Sequence, residues 1–90
     1  MEFEWDREKA ARNLVKHGVA FPEAASVFGD PRALTFYDPD HSDDEDRFLT
    51  FARSSGGRLL VVSHTDRGDR TRLISAREAT RGERSIYEEG

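Results

Sequence analysis

The chain contains no cysteine and no long hydrophobic run, and these absences exclude several classes of protein. A sequence of 90 residues without cysteine can form neither a disulfide framework nor a zinc site with thiolate ligands. Its longest purely aliphatic run is Leu59-Leu60-Val61-Val62, which is far shorter than a membrane span or the apolar segment of a signal peptide. We therefore expect a cytoplasmic protein without a membrane-spanning segment.

An overall excess of basic charge is also missing, because the net charge at pH 7 is −4. This balance argues at first against a nucleic-acid partner, since phosphate-binding proteins usually carry a basic excess. The net charge differs between the two halves of the chain. Residues 1–46 contain five Lys or Arg and twelve Asp or Glu, whereas residues 47–90 contain nine Arg and six acidic residues. Twelve of the fourteen cations are arginine, whose planar guanidinium suits phosphate oxygens and carboxylates. The second half is therefore the candidate anion-binding part.

Helix signals lie in the first third of the chain and at its end. Asp6 can cap a first helix that Gly18 ends, and Pro22 suits the first turn of a short second helix. Capping-box patterns begin at both Ser75 and Thr80, and we favour Thr80 as the start of a closing helix.

The middle of the chain predicts a sheet. Four segments are rich in aromatic or β-branched residues and predict strands: Ala33–Tyr37, Arg47–Arg53, Arg58–Thr65 and Arg70–Ser75. Short connections that contain glycine join the last three, which favours antiparallel hairpins. The expected fold class for a single domain over residues 1–90 is α+β, with two N-terminal helices, a four-stranded antiparallel sheet and a C-terminal helix.

An acidic stretch at residues 38–46 raises the possibility of a calcium or magnesium site, because oxygen-rich loops bind these ions. A calcium loop that started at Asp38 would place Asp43 where the turn glycine belongs and Leu49 where the bidentate glutamate belongs. No two of the three histidines lie at the spacing of metal ligands. We therefore predict a solvated loop, no metal site and no cofactor.

Arginines of neighbouring strands could form a cluster, although most surface arginines simply pair with acidic residues. Strand alternation places Arg58 and His64 on one face of their strand, and Arg70 and Arg72 on one face of the next. A cluster of cations on one face of the sheet is therefore possible.

Short motifs along nearly the whole chain resemble the BrnT family. In the first half they are Phe3-Glu4-Trp5-Asp6 with Lys9 and Asn13, Lys16-His17-Gly18-Val19 with Phe21, Glu23-Ala24, Val27-Phe28 and Asp30-Pro31. In the second half they are His41-Ser42, Glu45, Arg47, Gly57-Arg58-Leu59-Leu60-Val61-Val62, Thr65, Arg67-Gly68, Arg72, Ile74-Ser75-Ala76-Arg77, Ala79-Thr80, Glu83-Arg84 and Tyr87. Their order, their spacing and the matching length together carry the resemblance.

The resemblance implies a type II toxin, a small ribonuclease with a RelE-like fold that cleaves messenger RNA and inhibits translation. A BrnA-like antitoxin would neutralise it within a hetero-oligomer. Because that antitoxin would carry a ribbon-helix-helix DNA-binding domain, operator DNA would be contacted only through the partner. RNA is the expected substrate of this chain.

RNA can be cut without a metal ion when its 2′-hydroxyl attacks the adjacent phosphorus, provided that protons are transferred and phosphoryl charge is stabilised. The resemblance points to Arg67 and Arg77 as the functional pair, and we assign both to phosphate binding because arginine stays protonated. His64 is the candidate for proton transfer, although a partly buried strand histidine would explain it equally well. Further candidate RNA-binding residues are Arg47, Arg58, Arg72, Arg81, Arg84 and Lys16.

The ribonuclease interpretation depends on Arg67 and Arg77 reaching one phosphate-binding pocket. Arg67 is expected on a hairpin turn, at the opposite end of the hairpin from the closing helix, so convergence needs a strongly twisted sheet. Two other functions stay open. One is a non-catalytic module whose arginine face binds an acidic partner, and the other is an inhibitor that binds ribosomal RNA without cutting it.

Overall fold

The structure, a computed structural model, describes all 90 residues as a five-stranded mixed sheet with helices on both faces. The elements are β1 (Glu2–Glu4), α1 (Arg7–His17), α2 (Phe21–Ser26), β2 (Leu34–Tyr37), β3 (Arg47–Arg53), β4 (Leu59–Arg67), β5 (Arg70–Glu78) and α3 (Arg81–Glu89), with short 3-10 helices at Val27–Gly29 and Pro39–His41. The strand order is β1-β5-β4-β3-β2. None of the helices has the length and apolar character that crossing a membrane requires.

The predicted fold class, a four-stranded antiparallel sheet that follows two helices, is wrong. The chain begins with a strand, and β1 pairs in parallel with β5, placing Phe3 opposite Thr71. The other three pairings are antiparallel. For β3 with β4 and β4 with β5, the short connections that contain glycine had predicted this arrangement. β1 has only three residues, too few to show strand alternation, and its partner is distant in sequence. No local pattern could therefore reveal this strand.

Local capping signals set the helix ends. The Asp6 side chain accepts a hydrogen bond from the Lys9 N–H at 3.0 Å, and Gly18 ends α1 in the left-handed region with φ 70°. Thr80 and Glu83 form a reciprocal capping box at the start of α3. The predicted cap at Thr80 is therefore confirmed.

The two faces of the sheet are covered unequally. The helix-packed face lies against α1 and α2, and its fully buried core is Val19, Phe21, Ala24, Val27, Ala52, Leu60, Val62, Leu73 and Ala76. The other face, the open face, is covered only at one end, where Tyr87 of α3 packs with Phe51, Leu59 and Val61. The hydroxyl of Tyr87 donates to Asp30 at 2.6 Å, which anchors α3. No helix covers the rest of the open face.

One buried polar residue joins α1 to the sheet. The side-chain amide of Asn13 donates to the carbonyls of Val19 and Ala76, each at 2.9 Å, and its oxygen accepts the Ala76 N–H at 3.0 Å. Only 7% of Asn13 is exposed, so solvent has little access to these groups. Asn13 therefore fixes the position of α1 against β5.

An ion pair joins α2 to the start of β4. Arg58 donates through Nε to Glu23 at 3.0 Å and through an amino group to the Gly18 carbonyl at 3.1 Å. Hydrogen bonds from Arg58 and then Ser54 are the main causes that lower the pKa of Glu23 to about 2. The guanidinium of Arg58 therefore has a structural role, because its hydrogen bonds hold α2 against the start of β4.

The Glu23 pair predicts a defined dependence of stability on pH. Because the folded-state pKa of Glu23 lies below its ordinary value of 4.5, the contribution of Glu23 is fully present above pH 4.5 and is lost as the pH falls toward about 2. We expect the free energy of unfolding of Glu23→Gln to be lower than that of the wild type at pH 7. The difference in the free energy of unfolding between the two proteins, measured by denaturant titration, should become smaller as the pH falls from 4.5 toward about 2. A difference that does not change with pH would contradict the assignment.

Candidate functional site

A shallow cavity of about 250 Å³ lies on the open face of the sheet. It is lined by Asp38, His41, Arg47, Leu49, Ser63, Ile74, Ser75 and Arg77. These residues come from the β2–β3 connection and from β3, β4 and β5. Two arginines and a histidine therefore line one cavity.

Strand register explains why these side chains meet. Side chains alternate between the two faces of a strand, so Arg47 and Leu49 share the open face with Phe51 of the small core. Ser63 and Ser75 are cross-strand partners on β4 and β5. The next pair in the register is His64 with Leu73, which leaves Ile74 as a bulge that also lines the cavity.

Arg47 is the arginine of the cavity that forms no salt bridge. Its Nε is buried and has no hydrogen-bond partner. Acidic residues of the stretch 38–46 line a neighbouring cavity, but none of them forms a hydrogen bond with this atom. Its backbone is held by two hydrogen bonds of 2.9 Å, to the Ser42 hydroxyl and from the Asp38 N–H. Buried N–H donors are rarely left without a partner because the free energy cost is high. Arg47 is therefore the candidate in this cavity for donating hydrogen bonds to an anionic ligand.

Arg77, in contrast, is already paired. Its two amino groups donate to the two oxygens of Glu83 at 2.7 and 2.8 Å. These hydrogen bonds raise the pKa of Arg77 and lower that of Glu83 to about 2. Glu83 also accepts the Thr80 N–H at 2.9 Å, so one carboxylate serves both the arginine and the helix cap.

His41 enters the cavity from the β2–β3 connection. Its Nδ1 lies 2.9 Å from the Oδ2 of Asp38, one turn earlier. The Ser42 hydroxyl donates to the Asp38 carbonyl at 2.6 Å and closes this turn. From the sequence, His41 was considered as a metal ligand and as part of a family motif, and it was given no catalytic role. The signal that was available is the Asp-Pro-x-His spacing of a single turn.

The structure does not bring Arg67 and Arg77 together. Arg67 lies opposite Arg70 at the hairpin end of β4, whereas Arg77 lies opposite Val61. The six residue steps of β4 between Val61 and Arg67 span about 20 Å at the usual rise of a strand. Arg67 pairs instead with Glu45 at 3.3 Å. The expected pocket that contained both arginines is absent, so the inference from these two residues to a ribonuclease site fails, and a site on this fold must be built from other residues.

His64 lies on the helix-packed face, away from the cavity. Only 6% of it is exposed, its Nε2 is 2.7 Å from the Thr50 hydroxyl, and its ring contacts Phe28 and Phe48. Burial lowers the pKa of His64, against a smaller opposing effect of Asp66. This placement supports a structural role for the residue.

The other predicted RNA-binding residues are dispersed. Arg72 pairs with Glu4 at 2.9 Å, while Arg81 and Arg84 are exposed on α3. Lys16 is exposed on α1, on the far side of the sheet from the cavity, and Arg58 is held by Glu23. The structure contains no group of three or more side chains that could hold a metal ion. Of the predicted set, the cavity therefore contains Arg47 and Arg77.

Comparisons with known proteins identify relatives of this chain. A family model described as the ribonuclease toxin BrnT of type II toxin-antitoxin systems matches residues 5–83. The crystal structure of the Brucella abortus ribonuclease toxin BrnT is similar in fold, with a TM-score of 0.69 and 23% sequence identity over 90% of this chain and 99% of that one. No curated protein sequence matches significantly.

Proposed function

This chain belongs to the family of BrnT ribonuclease toxins of type II toxin-antitoxin systems, and from that membership we propose that residues 1–90 form one toxin domain that cleaves messenger RNA in the cytoplasm without a metal ion. Cleavage of messenger RNA would inhibit translation. The observation that carries the proposal is the cavity on the open face, where Arg47 has a buried Nε without a partner.

The cavity supports phosphate binding in a specific manner. Arg47 presents a guanidinium that forms no salt bridge, and Arg77 lines the same cavity while it is paired with Glu83. Fixed cationic donors stabilise the charge that develops on phosphoryl oxygens, which is the function that a metal ion would otherwise serve. Ser63 and Ser75 add hydroxyl groups that can bind sugar or phosphate oxygens. Arg67 is not part of this proposed site.

An antitoxin is the partner that a type II toxin requires, and we infer a BrnA-like protein with a ribbon-helix-helix domain that carries the contact with operator DNA. The sheet offers two free edges, β1 and β2. On β2, Phe36 and Tyr37 are about half exposed. An edge strand with exposed aromatic side chains can pair with an extended segment of a partner. We also infer a RelE-like fold, which the antiparallel meander of β2 to β5 supports.

Cleavage in the presence of a chelator tests the proposed function. We expect the purified chain to cut single-stranded RNA in EDTA and to leave uncut a matched RNA whose 2′-hydroxyls are methylated, because the internal nucleophile is then blocked. Gel separation of end-labelled RNA measures both reactions. Cleavage that appears only after magnesium is restored would contradict the metal-independent mechanism. Binding of RNA without any cleavage would favour the non-catalytic alternatives.

A further inference from the structure

We propose that His41, oriented by Asp38, is the general base that removes the proton of the attacking 2′-hydroxyl; this assignment rests on the proposed ribonuclease function. Three observations meet at this residue. His41 lines the cavity that contains Arg47, its Nδ1 lies beside a carboxylate, and its side chain is 65% exposed, which allows contact with RNA.

The contact with Asp38 determines which ring nitrogen is free. A carboxylate can only accept a hydrogen bond, so Nδ1 must carry the proton that lies between it and Oδ2, 2.9 Å away. In the neutral ring, Nε2 then has the lone pair and can accept a proton. The ring is held in this tautomer because the Asp38 side chain is only 12% exposed and its backbone is fixed by Ser42 and Arg47.

The chemistry of the neighbouring groups fits this assignment. Histidine is the side chain whose ordinary titration range lies nearest to neutral pH, whereas arginine stays protonated and cannot act as a base. Of the three histidines, His64 is buried on the opposite face and His17 lies at the end of α1. His41 is the histidine that shares a cavity with Arg47.

The proton transfer is coupled to the breakage of one bond. Nε2 of His41 accepts the proton of the 2′-hydroxyl while the 2′ oxygen forms a bond to the adjacent phosphorus. The bond between phosphorus and the 5′ oxygen breaks, the leaving oxygen takes a proton from water, and the imidazolium releases its proton to solvent. Arg47 stabilises the charge on the non-bridging oxygens. The products are a 2′,3′-cyclic phosphate and a 5′-hydroxyl end.

Substitution and chemical rescue test the role of His41. We expect His41→Gln to lower the cleavage rate by about 100-fold or more, the usual effect of removing a general base. The affinity for a 2′-O-methyl RNA, measured by fluorescence anisotropy, should stay within about twofold of the wild type. Added imidazole should restore part of the activity of His41→Ala in proportion to its concentration. His17→Gln is the matched control and should cut at the wild-type rate.

The outcomes separate this inference from the function on which it rests. A wild-type chain that cuts no RNA would overturn both. An active wild type with a His41→Gln variant that cuts within about threefold of its rate would overturn only the assignment of His41. A large loss that imidazole does not reverse, or that parallels a loss of RNA affinity, would also overturn it, because a structural or binding role would explain that result.

Discussion

Replacement of Arg47 by alanine is expected to lower the rate of RNA cleavage by about 10²- to 10³-fold, the range found when one charge-stabilising donor is removed from an active site. Arg47 lines the cavity on the open face and forms no salt bridge, so its guanidinium is available to the substrate. Single-turnover cleavage of a labelled RNA measures the effect.

Two further variants test whether the effect of Arg47→Ala depends on the position and the shape of the lost side chain. Arg70→Ala removes the same charge from an exposed position at the hairpin end of β5 and should cut RNA at nearly the wild-type rate. Arg47→Lys keeps the charge but loses the planar, two-pronged donor and should recover only part of the activity. Equal losses of cleavage rate in Arg47→Ala and Arg70→Ala would show that the net charge of the protein, rather than the position of Arg47 in the cavity, governs cleavage.

Replacement of Asn13 by alanine is expected to lower the free energy of unfolding by about 3 kcal/mol, because buried groups left without partners each cost about 1–3 kcal/mol. The variant leaves the carbonyls of Val19 and Ala76 and the N–H of Ala76 without the side chain that pairs them. Chemical denaturation followed by circular dichroism measures the change.

The neighbouring helix position supplies the control for Asn13. Val15 is 90% exposed on α1, so Val15→Ala should change the free energy of unfolding by no more than about 0.5 kcal/mol. A similar small change in Asn13→Ala would mean that water replaces the lost hydrogen bonds, and it would contradict the role assigned to Asn13 in joining α1 to β5.

The parts of the fold that could be predicted from the sequence depend on neighbouring residues. The cap at Asp6, the stop at Gly18 and the capping box at Thr80 each involve contacts within a few residues, and all three are present. The pairing of β1 with β5 joins opposite ends of the chain and has no local signature. The extension of β4 to Arg67 and of β5 to Glu78 likewise depends on pairing across the hairpin.

Prediction of the candidate site was limited because its residues meet only through the three-dimensional arrangement of the strands. Arg47 was predicted to bind RNA, and the structure places it in the cavity, where that role stays a prediction. His64 was the candidate for proton transfer, but strand alternation turns it to the helix-packed face. Arg67 and Arg77 have the right chemistry, and their separation follows from the hairpin register, which sets how far apart two residues of one hairpin lie.

If Arg77 binds phosphate as proposed, the two contacts of Glu83 couple that binding to the order of the first turn of α3. The same carboxylate holds Arg77 and caps the first turn of α3. A phosphate that draws Arg77 away removes part of what fixes Glu83, so the first turn of α3 should fray more readily in the ligand-bound protein. Thermodynamic linkage makes the effect reciprocal, so any partner that stabilises that turn should lower the affinity of the cavity for phosphate. A partner that binds at α3 could thus regulate the cavity without covering it.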